Sequence, residues 1–229
     1  LTVPACAELS AHAFFFIAMN YKLIIFDLDG TLVDSKASIM AAMRDMALAM
    51  GLSQEKFAEK PVNIGLPMSN ILRGLGIADI ETARAIYRQH YHKYTHMELA
   101  FPGIAGLLET LYGRVPLAIA TNKAYEGSLR TLGNAGIREY FDCIASLDQG
   151  IAKPDPDAFI RICAYYRELG KTYSPQECLM IGDSPIDCEF AHNCGIDFVF
   201  AQWGFHDGSG LPENAKSISQ PADLLELLY

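Results

Sequence analysis

Lys22 to Phe26 is a short apolar run, KLIIF, that stops abruptly at the polar, turn-rich stretch Asp27-Leu28-Asp29-Gly30-Thr31. A run of that length with β-branched residues predicts a strand buried on both faces. The rhythm then changes. From Ser35 to about Met50, Ile39, Met43, Met46 and Met50 recur at three- and four-residue spacing, which predicts a helix closed by Gly51. A short helix is expected over Met68 to Leu75, and a longer one over Asp79 to Met97 with Asp79 as its N-cap. Residues 35–99 therefore read as all-helical.

After the break at Phe101-Pro102-Gly103 the pattern alternates. Helices are expected at Ile104–Leu111, Ser128–Ala135, Asp157–Leu169, Pro185–Cys194 and Ala222–Leu228. Strands are expected at Pro116–Ala120, Tyr140–Ala145, Cys178–Ile181 and Ile196–Ala201. Strands alternating with helices imply a parallel sheet covered on both faces. The fold class is thus α/β, a doubly wound, Rossmann-like parallel sheet. Its core takes residues 20–34 and 100–229, with 35–99 inserted as an all-helical cap. Val33-Asp34 and Phe101-Pro102-Gly103 are the expected hinges.

Composition narrows the class without naming a function. The 229 residues are 51% apolar and 20% charged, with a net charge of -9. No Lys/Arg-rich run is present, so a nucleic-acid partner is not expected. The six cysteines include no CxxC pair and most lie in apolar segments, which suits free thiols and a cytoplasmic location. Residues 1–19 are set apart as an N-terminal extension, with Met19 as a natural start. Their apolar stretch AFFFIAM lacks a preceding basic residue and is far shorter than the ~20 residues of a membrane span. No membrane partner is expected, and monomer and dimer both stay open.

The chemistry concentrates where strands end. Ligand sites in open α/β sheets lie beyond the carboxyl ends of the strands. Four polar clusters sit at or near such exits: Asp27 with Asp29, Thr121-Asn122, Lys153, and Asp183 with Asp187. Residues two apart at a strand end point to one side, so Asp27 and Asp29 are expected to converge. Four carboxylates in one cleft repel unless a hard divalent cation compensates, and Mg²⁺ prefers oxygen ligands. The alternative is that the Asp-x-Asp pair only caps a turn.

In their order, Asp27-Leu28-Asp29-Gly30-Thr31-Leu32, Thr121-Asn122, Lys153-Pro154-Asp155-Pro156 and Gly182-Asp183-Ser184-x-x-Asp187 resemble the four motifs of the haloacid dehalogenase-like superfamily. The stretches DGTLVDS and KPDP-x-x-F resemble its phosphoglycolate phosphatase-like branch, which carries a helical cap. The resemblance spans residues 20–229. It implies a Mg²⁺-dependent phosphatase acting on a small phosphorylated metabolite through an aspartyl-phosphate. Asp27 would be the nucleophile and Asp29 the general acid and base. Thr121 and Lys153 would hold the phosphoryl oxygens, with Asn122 beside them. The metal would be held by Asp27, Asp29 (through its main-chain carbonyl), Asp183 and Asp187.

Other residues carry weaker expectations. Lys123 either reaches a substrate anion or is a solvated lysine. Arg44 and Arg73 in the cap either touch the substrate or lie on the surface; Arg73 is the candidate substrate contact. His92 and His96 have zinc-like spacing but read as a solvated helix face. Trp203 and Phe205 either line the cleft or close the core. Two rival readings remain: a phosphosugar mutase using the same Asp27 and Asp29, and a catalytically silent phosphate- or metal-binding module.

Overall fold

The computed structural model describes residues 20–53 and 62–228. The expectations for residues 1–19 fall outside the described residues. Six parallel strands form one sheet: β1 (Leu23–Phe26), β4 (Leu117–Ala120), β5 (Cys143–Ala145), β6 (Cys178–Gly182), β7 (Asp197–Ala201) and β8 (Lys216–Ile218). Their order across the sheet is β5-β4-β1-β6-β7-β8. Two further strands, β2 (Val33–Asp34) and β3 (Leu99–Ala100), pair antiparallel as a separate ribbon.

The pleat explains why the strands read as continuous apolar runs. In β1, Ile24 and Phe26 face one side, with Leu117, Ile119, Leu179 and Ile181 of the neighbours. Leu23 and Ile25 face the other, with Ala118, Ala120, Cys178 and Met180. Helices α4 (Ile104–Leu111), α5 (Tyr125–Asn134) and α8 (Asp223–Leu228) cover the first side, and α6 (Asp157–Glu168) and α7 (Pro185–Cys194) the second. Every position of β1 is therefore buried, which removes the period-two signature of a half-exposed strand.

Between β2 and β3 the described chain is helical: α1 (Lys36–Ala49), α2 (Met68–Gly74) and α3 (Ile80–Tyr91), then a 3-10 turn at Thr95–Met97. This segment buries its own cluster, including Met43, Met46, Leu72 and Tyr87. The Asp79 side chain accepts a hydrogen bond from the Thr82 amide, the cap expected there. The helix stops at Tyr91, six residues short of the expected Met97. The buried Thr95 and its carbonyl, which accepts from Asn134 on α5 at 3.0 Å, hold the chain in a turn that periodicity does not register.

Three other differences have local causes. The β2–β3 ribbon is two residues a strand, too short for any pattern, so residues 35–99 are not helical to their end. Strand β8 leaves no apolar pattern in the sequence, because Ile218 is its single buried residue. Helix α5 starts three residues before the expected Ser128. Its first amide, at Tyr125, donates to the Asp148 carboxylate at 2.8 Å, so the cap comes from 23 residues away rather than from Ala124.

Candidate active site at the carboxyl ends of the central strands

Strands β1 and β6 are neighbours whose next elements run to opposite sides of the sheet, which opens a crevice at their carboxyl ends. Asp27 follows β1 there, Asp183 follows β6, and Asp187 lies in the first turn of α7. One carboxylate oxygen from each lies within 4.8 Å of the other two. All three residues are buried. The Lys153 ammonium is wedged among them, donating to Asp27 Oδ1 and Asp187 Oδ1 at 2.6 Å each.

Local sequence sets each group. Asp187 and Ser184 form a capping box: the Ser184 amide and hydroxyl donate to Asp187 Oδ2 at 3.1 and 2.6 Å, and the Asp187 amide donates back to Ser184 Oγ. Asp183 accepts from the Thr31 hydroxyl at 3.2 Å and from the Phe205 amide at 2.7 Å. Trp203 donates its indole N–H to the Thr31 carbonyl at 2.9 Å, so the loop after β7 holds the site through its backbone and one ring. Asn122 clasps the Lys153 backbone from both sides and also donates to the Gly65 carbonyl at 3.0 Å, tying the helical segment to the sheet.

Gly30 and Gly204 are two of the glycines that this packing requires. Gly30 has φ +96°, and a Cβ on it would stand 2.4 Å from Asp183 Oδ2. A Cβ on Gly204 would stand 2.2 Å from Asp183 Cβ. Gly30→Ala is expected to cost about 1–3 kcal/mol from the strained φ alone, and more from displacing Asp183. Urea unfolding of the variant measures it, and an unchanged midpoint would contradict this packing.

Electrostatics follow from burial. The Asp27 carboxyl is pushed up to about 7: removal from water raises it most, Lys153 lowers it, and Asp187 and Asp29 raise it further. Asp183 is held well above the ordinary carboxylate range by burial, with Asp187 and Asp27 adding to it. Burial alone would lower Lys153, yet Asp187 and Asp27 outweigh it and hold the ammonium above its ordinary value. Three carboxylates against one ammonium leave two negative charges when all are ionised. The donors are all hard carboxylate oxygens, so the set fits a hard divalent cation.

Above these groups a cavity of about 620 Å³ lies between the sheet and the helical segment. Asp27, Asp29, Thr121 and Asn122 line it from below, and Ile39, Leu66, Met68 and Tyr87 from above. Thr121 accepts from the Lys123 amide at 3.2 Å, and no acceptor for its own O–H is present among the described residues. A second cavity of about 400 Å³, beside β5, contains none of the four clusters.

Several expectations need correction. The Asp29 carboxylate does not join the other three; it faces Lys123, whose ammonium donates to its two oxygens at 2.9 and 3.3 Å. Lys123 is not solvated: its ammonium pairs with Asp29 and the Tyr91 hydroxyl at the wall of the cavity. Arg73 is exposed, pairs with Asn70 at 2.9 Å and is not among the cavity residues. Arg84, Arg88 and Arg130 line the cavity instead. The solvated reading of His92 and His96 holds, since both are exposed, but neither lies within α3, which ends at Tyr91. Glu98, fully buried beside Lys123, was missed; its one signal was a lone carboxylate in the apolar crossing MELAF.

Residues 24–201 match the family model described as haloacid dehalogenase-like hydrolase. A tyrosine-protein kinase, PtkA, of Mycobacterium tuberculosis is 34% identical over 211 residues, covering 90% of this chain and 71% of that protein. A phosphoglycolate phosphatase of Rhodobacter capsulatus is 30% identical over 213 residues, covering 82% and 94%. The solved structure of a haloacid dehalogenase-like hydrolase from Streptococcus pneumoniae superposes with a TM-score of 0.75 at 26% identity, covering 90% of this chain and 98% of that one.

Proposed function

The chain belongs to the haloacid dehalogenase-like hydrolase family, and on that premise we propose that it hydrolyses small phosphomonoesters, with Mg²⁺ as its cation and Asp27 as the transient carrier of the phosphoryl group. The observation that carries this reading is the buried set of Asp27, Asp183, Asp187 and Lys153, of which Asp27 opens onto the cavity. Asp27, Asp183 and Asp187 would hold the cation. When bound, it neutralises charge so that an anionic phosphoryl group can approach an anionic carboxylate.

The residues of the chain do the rest. A carboxylate oxygen of Asp27 attacks phosphorus, and the ester oxygen leaves with a proton from Asp29. Asp29 then takes a proton from water as that water attacks the phosphorus of the acyl phosphate. Inorganic phosphate leaves and Asp27 is restored. The Thr121 hydroxyl and the Lys153 ammonium donate to the phosphoryl oxygens, where charge accumulates. The helical segment serves as a cap that excludes water and selects the organic part of the ester. Phosphoglycolate is a fitting candidate, since named phosphoglycolate phosphatases are among the relatives.

A panel of phosphomonoesters, assayed for phosphate release, tests this reading. Release is expected with Mg²⁺ and is expected to fall at least ~100-fold with excess EDTA, returning when Mg²⁺ is restored. Release indifferent to EDTA would contradict the cation assignment. A second reading, transfer of the phosphoryl group to a hydroxyl acceptor other than water, has one observation in its favour: the relative named as a tyrosine-protein kinase. Substrate consumed without matching inorganic phosphate would favour it.

A further inference from the structure

Among the described residues, Glu98 is the one buried carboxylate that the proposed chemistry leaves unused, and none of its surface reaches solvent. It sits just before β3, where the helical segment returns to the sheet. Its Oε1 accepts from Ser38 on α1 at 2.8 Å and from the Tyr91 hydroxyl at the end of α3. Its Oε2 accepts from Thr131 on α5 at 2.8 Å. The Lys123 ammonium lies 3.9 Å from Oε1. Two of these partners belong to the helical segment and two to the sheet side.

Lys123 links this group to the reaction site. It donates to the Tyr91 oxygen at 2.7 Å and to both oxygens of Asp29. The Tyr91 hydroxyl in turn donates its hydrogen bond to Glu98, so the donors run in one direction from Lys123 through Tyr91 to Glu98. A lysine on its flexible stem has no fixed place by itself. Here carboxylates on two sides, with the stacked Tyr91 ring 5.3 Å from that of Tyr87, define where the ammonium stands.

We propose that Glu98 and Tyr91 are positioning residues: they fix the Lys123 ammonium, and through it the orientation of the Asp29 carboxyl group, so that Asp29 is aligned only when the helical segment is seated on the sheet. The proposal rests on the acid–base role given to Asp29 above. Misplacing a reacting group by about 1 Å costs on the order of 100-fold in rate. The loss falls mainly on substrates that need a proton to leave.

That selectivity gives the test. p-Nitrophenolate leaves without a proton, whereas phenolate, with a pKa of about 10 like tyrosine, leaves better with one. Phosphoryl transfer to Asp27 is the first irreversible step, so kcat/KM reports it without the later hydrolysis. kcat/KM is measured for p-nitrophenyl phosphate and phenyl phosphate with wild type, Glu98→Gln and Tyr91→Phe, and again with each change in an Asp29→Asn background. Glu98→Gln and Tyr91→Phe are expected to lower kcat/KM for phenyl phosphate at least ~10-fold more than for p-nitrophenyl phosphate. That extra loss is expected to vanish in the Asp29→Asn background. Equal losses on both esters, or an extra loss that persists without Asp29, would overturn the proposal and leave Glu98 a structural residue. Tyr91→Phe removes one oxygen only and keeps the test decisive where Glu98→Gln fails to fold. A wild type inactive on both esters overturns the functional reading itself, and Asp29→Asn without any added discrimination overturns the acid assignment; either removes the basis of this proposal.

Discussion

Asp27→Asn is expected to abolish phosphate release, by ~10⁴-fold or more, because it removes the attacking group itself rather than a supporting contact. The same change is expected to leave the metal-free fold intact and to stabilise it. Asp27 has a folded pKa of about 7, above the ordinary carboxylate value. A raised folded pKa means that the native state holds the proton more tightly than the unfolded chain does. Its contribution is therefore fully present below about pH 4 and is lost as pH rises through about 7. Asparagine has no proton to lose. In metal-free protein at pH 8, Asp27→Asn should then unfold later than wild type, by on the order of 1 kcal/mol, and the difference should shrink toward pH 5. Thermal unfolding at the two pH values measures it. A variant that is both inactive and less stable at pH 8 would point to damage elsewhere, not to loss of a nucleophile.

Lys153→Met has the opposite stability effect and is the larger structural perturbation. Among the described residues its ammonium is the only cation in contact with Asp27 and Asp187, at 2.6 Å from each, and it lies 4% exposed. Taking away one partner of a buried ion pair leaves uncompensated charge and costs about 3–5 kcal/mol. The carboxylates left behind can relieve this by taking up protons, so the deficit should be smaller at pH 5 than at pH 8. An added divalent cation should recover part of it, since it supplies the missing charge. Phosphate release should fall as well, by ~10²-fold or more, because a donor to the phosphoryl oxygens is gone. Urea unfolding with and without Mg²⁺ separates the two losses. A deficit that ignores both pH and cation would mean that the carboxylates do not carry the charge assigned to them.

The central strands were legible in the sequence because burial on both faces writes an unbroken apolar run, as in Leu23–Phe26 and Cys178–Ile181. The clusters at their ends were legible for the same reason: a polar residue just past such a run has one place to go. Elements fixed by remote contacts were not. The start of α5 depends on Asp148, the end of α3 on Asn134, and β8 on a single buried residue. Within the site, residue type was readable and pairing was not. Spacing puts Asp27 and Asp29 side by side, but which cation each takes depends on Lys153 and Lys123, more than ninety positions away. Glu98 shows the limit most clearly, because its partners Ser38, Tyr91, Lys123 and Thr131 come together only through the tertiary fold.

The central claim is that the phosphoryl group rests on Asp27. The direct measurement is a rapid acid quench of wild-type protein turning over a radiolabelled phosphomonoester with Mg²⁺, followed by peptide mapping. Label is expected on the peptide that contains Asp27, stable in acid, released by mild base and missing from Asp27→Asn. Turnover with no label on that peptide, or label that persists in Asp27→Asn, would contradict the account.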